Sequence, residues 1–261
     1  MPKSKLLSLF SILVYAFLYA PILVLVVFSF DESKLGVSWT GFTFKWYASL
    51  FQDENVLLAL KNSLLVAVAS VFISTVLGVA AAMGLSKLKN SGVKVALNAL
   101  LILPVLVPEI AMAVSALLLF ISLGISLGLG TVIAAHVVFC LSYVTMTVMA
   151  RLQGMNPSLV EAAMDLGLTP LQAFFKVTLP LIAPGIISGA LLAFVLSLDD
   201  FVITQFTAGV GATTLPLRIY SMVKFGVSPE INALSTLMLL VTVLIAGSAE
   251  LSRIKGAAKQ G

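Results

Sequence analysis

Six long apolar runs, at residues 9–29, 62–85, 95–122, 130–150, 182–207 and 231–251, constrain this chain more than any other feature. A helix needs roughly 20 apolar residues to cross the hydrocarbon core of a bilayer. Backbone groups in lipid must find partners within the structure, which leaves helices and closed β-barrels as the spanning solutions. Barrel strands would alternate apolar and polar residues in short segments, whereas these runs are continuous. The sequence therefore predicts an all-α, multi-pass membrane protein with six transmembrane helices. Composition agrees: 10% of residues are charged and the mean hydropathy is +1.14, against about 25% charged in soluble domains. No polar domain or low-complexity linker interrupts the pattern, so residues 1–261 read as a single transmembrane domain.

Lys and Arg in the connections set the expected orientation. With the N-terminus inside, the inner side carries Lys3, Lys5, Lys87, Lys89, Lys94, Arg151, Lys176, Arg253, Lys255 and Lys259, and the outer side carries Lys34, Lys45, Lys61, Arg218 and Lys224. Ten against five places both termini in the cytoplasm. The net charge of +4 follows from this asymmetry and gives no reason to expect nucleic-acid binding. The first run follows Lys3 and Lys5 but is longer than a signal core and has no A-x-A site before Asp31, so it reads as an uncleaved signal-anchor helix.

The outer connection after the first run crowds Phe42, Phe44, Trp46, Tyr47, Leu50 and Phe51 together, a composition suited to the headgroup level. Pro104 and Pro108 in the third run remove backbone donors and turn the preceding residues away from helix, so a kink or break is expected there. The fifth run is expected to follow Pro184, with Gly185 and Gly189 at the small-xxx-small spacing of close helix contacts. The single cysteine, Cys140, excludes a disulfide framework within the chain and reads as a small buried residue.

Two features fall outside the apolar pattern. Between the fourth and fifth runs lies a polar, helix-forming insert at about 152–180. Ser158 and Glu161 match a capping box, Leu166-Gly167 allows a turn, and Thr169-Pro170 can start a second short helix. Such an insert cannot sit in lipid and is shaped as a knob that another protein can grip. The second feature is acidic. Glu109 lies near the middle of the third run, and Asp199 and Asp200 lie within the fifth. A carboxylate at bilayer depth costs about 2.5–3.5 kcal/mol on insertion scales and marks a pathway or a pairing role. No Lys or Arg falls inside the six runs, which leaves His136 as a candidate partner. On a continuous helix Asp199 and Asp200 would point about 100° apart, so that one can line a cavity while the other pairs at a helix contact or protonates. Carboxylates at staggered depths suit a cation bearing separated ammonium groups.

Catalytic and cofactor signatures are lacking. The sequence holds no G-x-x-x-x-G-K-[ST] loop, and one His with one Cys make no metal-ligand cluster. No cofactor and no resident metal are expected.

The insert carries Glu161-Ala-Ala-Met-Asp-Leu-Gly167, then nine residues, then Val177-Thr-Leu-Pro180. This pattern resembles the coupling loop of ABC importer permeases, with Val177 where Ile is usual. Other stretches resemble, more narrowly, the C-type permease of spermidine/putrescine ABC transporters. They are Gly41-Phe-Thr-Phe-Lys-Trp-Tyr47, Pro108-Glu-Ile-Ala-Met-Ala113, Phe139-Cys-Leu141, Leu196-Ser-Leu-Asp-Asp200, Leu215 to Lys224, and Gly226 to Ala233. The resemblance implies the type I importer permease fold in a bacterial inner membrane. It implies a homologous second permease, two ATP-binding subunits supplying hydrolysis, and a periplasmic polyamine-binding protein. Glu161, Ala162, Ala163, Asp165, Gly167, Leu179 and Pro180 would contact the ATPase, while Glu109 and Asp199, with Asp200 and Tyr220, would belong to the substrate path. Another small amine-bearing solute, such as an aminophosphonate or opine, is the alternative cargo.

Overall fold

Helix forms wherever the apolar runs leave the backbone no water to bond. The computed structural model describes residues 2–33, 38–224, 226 and 228–258, with side chains between residues 6 and 248. Lys34 and Lys259 lie outside the described residues, as do the side chains of Lys3, Lys5, Arg253 and Lys255. In chain order the helices are α1 (Pro2–Phe28), α2 (Lys45–Leu50), α3 (Glu54–Lys87), α4 (Ser91–Leu106), α5 (Glu109–Ser122) and α6 (Leu129–Gln153). They continue as α7 (Ser158–Asp165), α8 (Pro170–Ala173), α9 (Leu179–Asp199), α10 (Val202–Thr207), α11 (Leu215–Lys224) and α12 (Pro229–Ala258). Among the described residues the extended pairing is one isolated antiparallel bridge between Asp31 and Phe42.

Among the described residues five helical stretches are long and apolar enough to span a bilayer, and the α4–α5 pair makes a sixth if its two halves count as one span. That pair bends by 106°. The break falls at Val107, which is extended at φ −73°, ψ 135° ahead of Pro108, as crowding by a following proline requires. Pro104 stays inside α4. The fifth run departs further from expectation. It is not one helix over 182–207, because α9 ends at Asp199 and Asp200 is extended at φ −64°, ψ 125°. No glycine or proline announces this break. Helix α9 also begins before Pro184, since a π-turn over Phe174–Thr178 joins α8 to α9 and both Pro180 and Pro184 lie within the continuous helical stretch. Between the fifth and sixth runs the chain forms α11.

The chain divides into two compact units, Met1–Leu58 with Arg218–Val241, and Ala59–Leu217 with Thr242–Gly261. In the first unit α1 exposes apolar side chains along its length, Phe17 at 80% among them, as a lipid-facing helix does. After it the chain turns on Asp31. The Asp31 carboxylate accepts from the Thr40 amide at 2.8 Å and the Thr40 hydroxyl at 3.0 Å, and its carbonyl accepts from the Trp46 indole at 2.7 Å. Phe30 stacks on Phe42 at 5.2 Å and meets Phe44 edge-on at 5.5 Å. Phe42, Phe44 and Phe51 remain exposed, an aromatic belt of the kind that sits at a membrane interface. Asp53 caps α3 through the Asn55 amide at 2.8 Å and meets Arg218 at 3.4 Å. Burial pushes the Asp53 carboxyl up, but the Asn55 and Val56 amides and the Arg218 guanidinium outweigh it and hold it below its ordinary value.

The Thr40 amide beside Asp31 holds that carboxyl below the ordinary range as well, against the opposing effect of burial. A group with a depressed folded value contributes stability that is complete above its unfolded value and is lost as pH falls through the folded one. In a Trp39→Phe variant, which leaves Trp46 as the single tryptophan, Trp46 emission should stay constant down to about pH 4 and shift red only below it. A red shift already complete at about pH 5 would show that another group holds the turn.

The second unit is built on α6 and α9. Gly185 and Gly189 let α9 close on Arg151, Thr147 and Val144 of α6, the close approach expected of small residues at this spacing. Arg151 Nε donates to the Leu181 carbonyl at 3.1 Å. Val144, Val148, Ile182, Ala193 and Cys140 are fully buried between and around them. At the start of α3, Asn62 donates to the carbonyls of Gly211 and Thr213 and Ser63 accepts from the Leu215 amide, which pins the loop leading into α11.

Candidate functional site

The polar insert folds as two short helices around a glycine turn. Asn156 Oδ1 accepts from the Ser158 amide at 3.0 Å, and Pro157 sits immediately before α7 with helical φ −64°, ψ −27°, a place where its missing N–H costs nothing. The expected Ser158–Glu161 capping box does not form, because Asn156 starts the helix and carries Ser158 into its first turn. Glu161 then lies in that first turn, where a negative charge is favoured by the helix dipole. At the other end the Leu168 amide bonds to the Ala163 carbonyl at 3.2 Å and the Gly167 amide to that of Met164 at 2.9 Å. This pair of bonds is a Schellman motif, which requires a left-handed residue at the turn. Gly167 supplies it, at φ +88°.

Thr169 and Gln172 form the second cap reciprocally, at 3.3 and 3.0 Å. The π-turn that follows shifts the ladder by one residue, so the Leu179 amide finds the Phe174 carbonyl just before Pro180, which has no amide to offer. Such π-turns recur at functional sites. Glu161, Ala162, Asp165, Gly167 and Pro180 are exposed, Leu179 is half-buried, and Ala163 is buried. Leu159, Met164, Leu166 and Leu171 add exposed apolar area, with Leu166 at 87%.

The acidic residues converge at the two helix breaks. Asp199 is the last residue of α9 and is exposed, while Asp200 is buried at 6%. The Asp200 carboxylate accepts from the amides of Ile203 at 3.2 Å and Thr204 at 2.8 Å, and from the Thr204 hydroxyl at 2.7 Å. It therefore supplies α10 with the acceptors that a continuous helix would have drawn from backbone carbonyls. His136, fully buried on α6, reaches the same carboxylate through Nε2 at 3.1 Å and Ser197 Oγ through Nδ1 at 2.8 Å. In a neutral ring a carboxylate partner fixes the hydrogen on Nε2 and leaves Nδ1 to accept from the serine.

Glu109 opens α5 directly after Pro108, and its carboxyl lies near enough to that of Asp200 for the two to interact. The breaks in the third and fifth runs thus bring together acids distant in sequence. Tyr220 belongs to α11 and is half-exposed, but it falls in the other unit. Beside Glu109 lies a cavity of about 350 Å³ reached also by Met112, Phe139, Tyr143, Leu196 and Ile203.

Sequence reasoning weighed His136 as a partner but missed Ser197 and Thr204. Their spacing of three residues before and four after Asp200 is the available signal. Among the described residues no group of three His, Cys, Asp or Glu is placed to hold a metal.

Apolar helices long enough to span a membrane, a polar helical knob between two of them, and carboxyl groups set at two helix breaks are the features of a membrane transport component. The chain belongs to the family of binding-protein-dependent transport system inner membrane components, whose model matches residues 74–251. It is 42% identical to the spermidine/putrescine transport system permease protein PotC of Haemophilus influenzae, over 94% of this chain and 95% of that protein. It is 44% identical to the putrescine transport system permease protein PotI of Escherichia coli, over 86% and 82% respectively. Among solved structures, a bacterial ABC transporter involved in import of the polysaccharide alginate superposes with a TM-score of 0.77 at 19% identity, covering 95% of this chain and 94% of the other. The methionine transporter MetNI in an inward-facing form superposes at 0.62 and 20% identity, over 78% and 99%. The fold is the type I ABC importer permease fold, and the chain is a multi-pass membrane permease.

Proposed function

We infer that this chain is the membrane-spanning permease subunit of an ATP-driven importer that passes spermidine and putrescine into the cytoplasm by alternating access. The observation that carries this reading is the likeness, along nearly the whole chain, to permeases of spermidine and putrescine transport systems. The chemistry of the cavity supports it, because Glu109 lines it with Asp200 close by, while the six runs contain no Lys or Arg to compete for them. The chain works in the bacterial inner membrane as one permease domain with both termini cytoplasmic. It pairs with a homologous permease, two ATP-binding subunits beneath, and a periplasmic polyamine-binding protein above. The knob at 152–180 seats Glu161 to Gly167 on an ATPase subunit. Closure of the ATPases then moves α9 through the stiff link of α8, the π-turn and Pro180. Glu109 and Asp199 attract the ammonium groups, Asp200 holds the break that presents Asp199, and Tyr220 contributes from α11.

The test is uptake of labelled spermidine and putrescine into vesicles bearing the assembled transporter. Uptake should require both ATP and the binding protein; uptake of neither amine under these conditions would overturn the assignment. Within the same assay Asp199→Asn should lower uptake by roughly tenfold or more, the scale on which a hydrogen bond to a charged group, about 1.5–3 kcal/mol, is lost. Unchanged uptake would leave Asp199 without a role in the path.

A further inference from the structure

We propose that Phe139 and Tyr143 form an aromatic wall that holds an ammonium group of the substrate by ring faces, with Glu109 neutralising its charge. The inference rests on the polyamine reading above and assigns two residues that the acidic pattern alone does not indicate. Phe139 and Tyr143 are four residues apart on α6, so their side chains stack on one face about one turn apart. Both line the cavity that Glu109 enters. Phe139 is 7% exposed and its ring is fixed against His136 with centroids 5.2 Å apart. Tyr143 is half-buried, and its hydroxyl has no hydrogen-bond partner among the described residues. The rest of the wall is aliphatic: Met112, Leu196 and Ile203.

This combination selects a ligand class. An anion would face Glu109 with no cation to receive it. A hard metal ion requires six or more oxygen ligands, which this wall does not offer. An uncharged apolar solute would leave the carboxylate unpaired at a cost of several kcal/mol. An alkylammonium satisfies every part of the lining: the charge meets Glu109 and the ring faces, and the methylene chain lies on the aliphatic side. Ring faces attract ammonium groups through their quadrupole and do so more strongly where water is excluded. Cavities of about 300–1,000 Å³ suit small organic ligands.

The test measures binding of tritiated putrescine to the purified transporter with all its subunits and no binding protein. Phe139→Leu and Tyr143→Leu should each weaken binding roughly tenfold, and Tyr143→Phe, which keeps the ring, by about threefold or less. A second arm needs no variant. Putrescine trimethylated on one nitrogen should bind the wild-type transporter within about threefold of the parent, because a ring face asks for charge and not for N–H donors. Leucine variants that assemble and bind like wild type, or loss of binding on methylation, would overturn the aromatic wall. Failure of the wild type to bind putrescine or spermidine at all would instead remove the polyamine reading on which it stands.

Discussion

Gly167→Val should reduce polyamine uptake by at least about tenfold while leaving capture by the external binding protein intact, because a β-branched residue at positive φ is a true outlier. Gly167 closes the Schellman turn at φ +88°, and a side chain there would meet nothing within 4 Å. The objection to substitution is therefore conformational and not one of space. An ordinary L-residue in the left-handed region costs about 1–2 kcal/mol, and Asn is better tolerated because its side chain bonds locally. The series Gly167→Asn, Gly167→Ala and Gly167→Val should accordingly descend in uptake, with Asn retaining the most. Substrate-stimulated ATP hydrolysis should fall in the same order if the turn, as proposed, aims α7 at the ATPase. Normal stimulated hydrolysis in Gly167→Val would detach the turn from coupling and leave it a local feature of the chain.

The parts of this molecule governed by local rules were legible in the sequence. Among the described residues five of the six runs hold helices long and apolar enough to span a membrane, and in the third Val107 broke helix because Pro108 follows it. Thr169-Pro170 began a short helix with its own cap, and Gly167 stood where a left-handed residue was required. What escaped was set by partners far away in the chain. The break at Asp200 carries no glycine or proline, and it exists because a side-chain carboxylate takes over the amides of Ile203 and Thr204 while His136, more than sixty residues earlier, holds it from the other side. The capping box at Ser158 was misread for the opposite reason. Two local signals competed, and Asn156 with Pro157 reached the helix start first. The convergence of Glu109 with Asp200 required both breaks, so no reading of either run alone could place the acids in one cleft.

That network separates the neighbouring aspartates by experiment. Asp200→Ala should lower the melting midpoint of the solubilised transporter by roughly 5–10 °C, taking several kcal/mol of loss and about 2–4 °C for each in a chain of this size. The loss arises because Ile203 and Thr204 amides, the Thr204 hydroxyl and the His136 ring would all be left facing a methyl group. A buried donor stripped of its acceptor costs about 1–3 kcal/mol. Asp200→Asn keeps one acceptor oxygen for Thr204 but presents an NH₂ group where His136 donates, so it should fall between wild type and alanine. His136→Ala removes one of the four contacts and should cost less than Asp200→Ala. Asp199→Asn, at the exposed end of α9, should leave the midpoint within about 2 °C while uptake falls. Equal melting of the Asp199 and Asp200 variants would mean that the break is held by backbone alone, and Asp200 would then be as free as Asp199 to meet the passing cation.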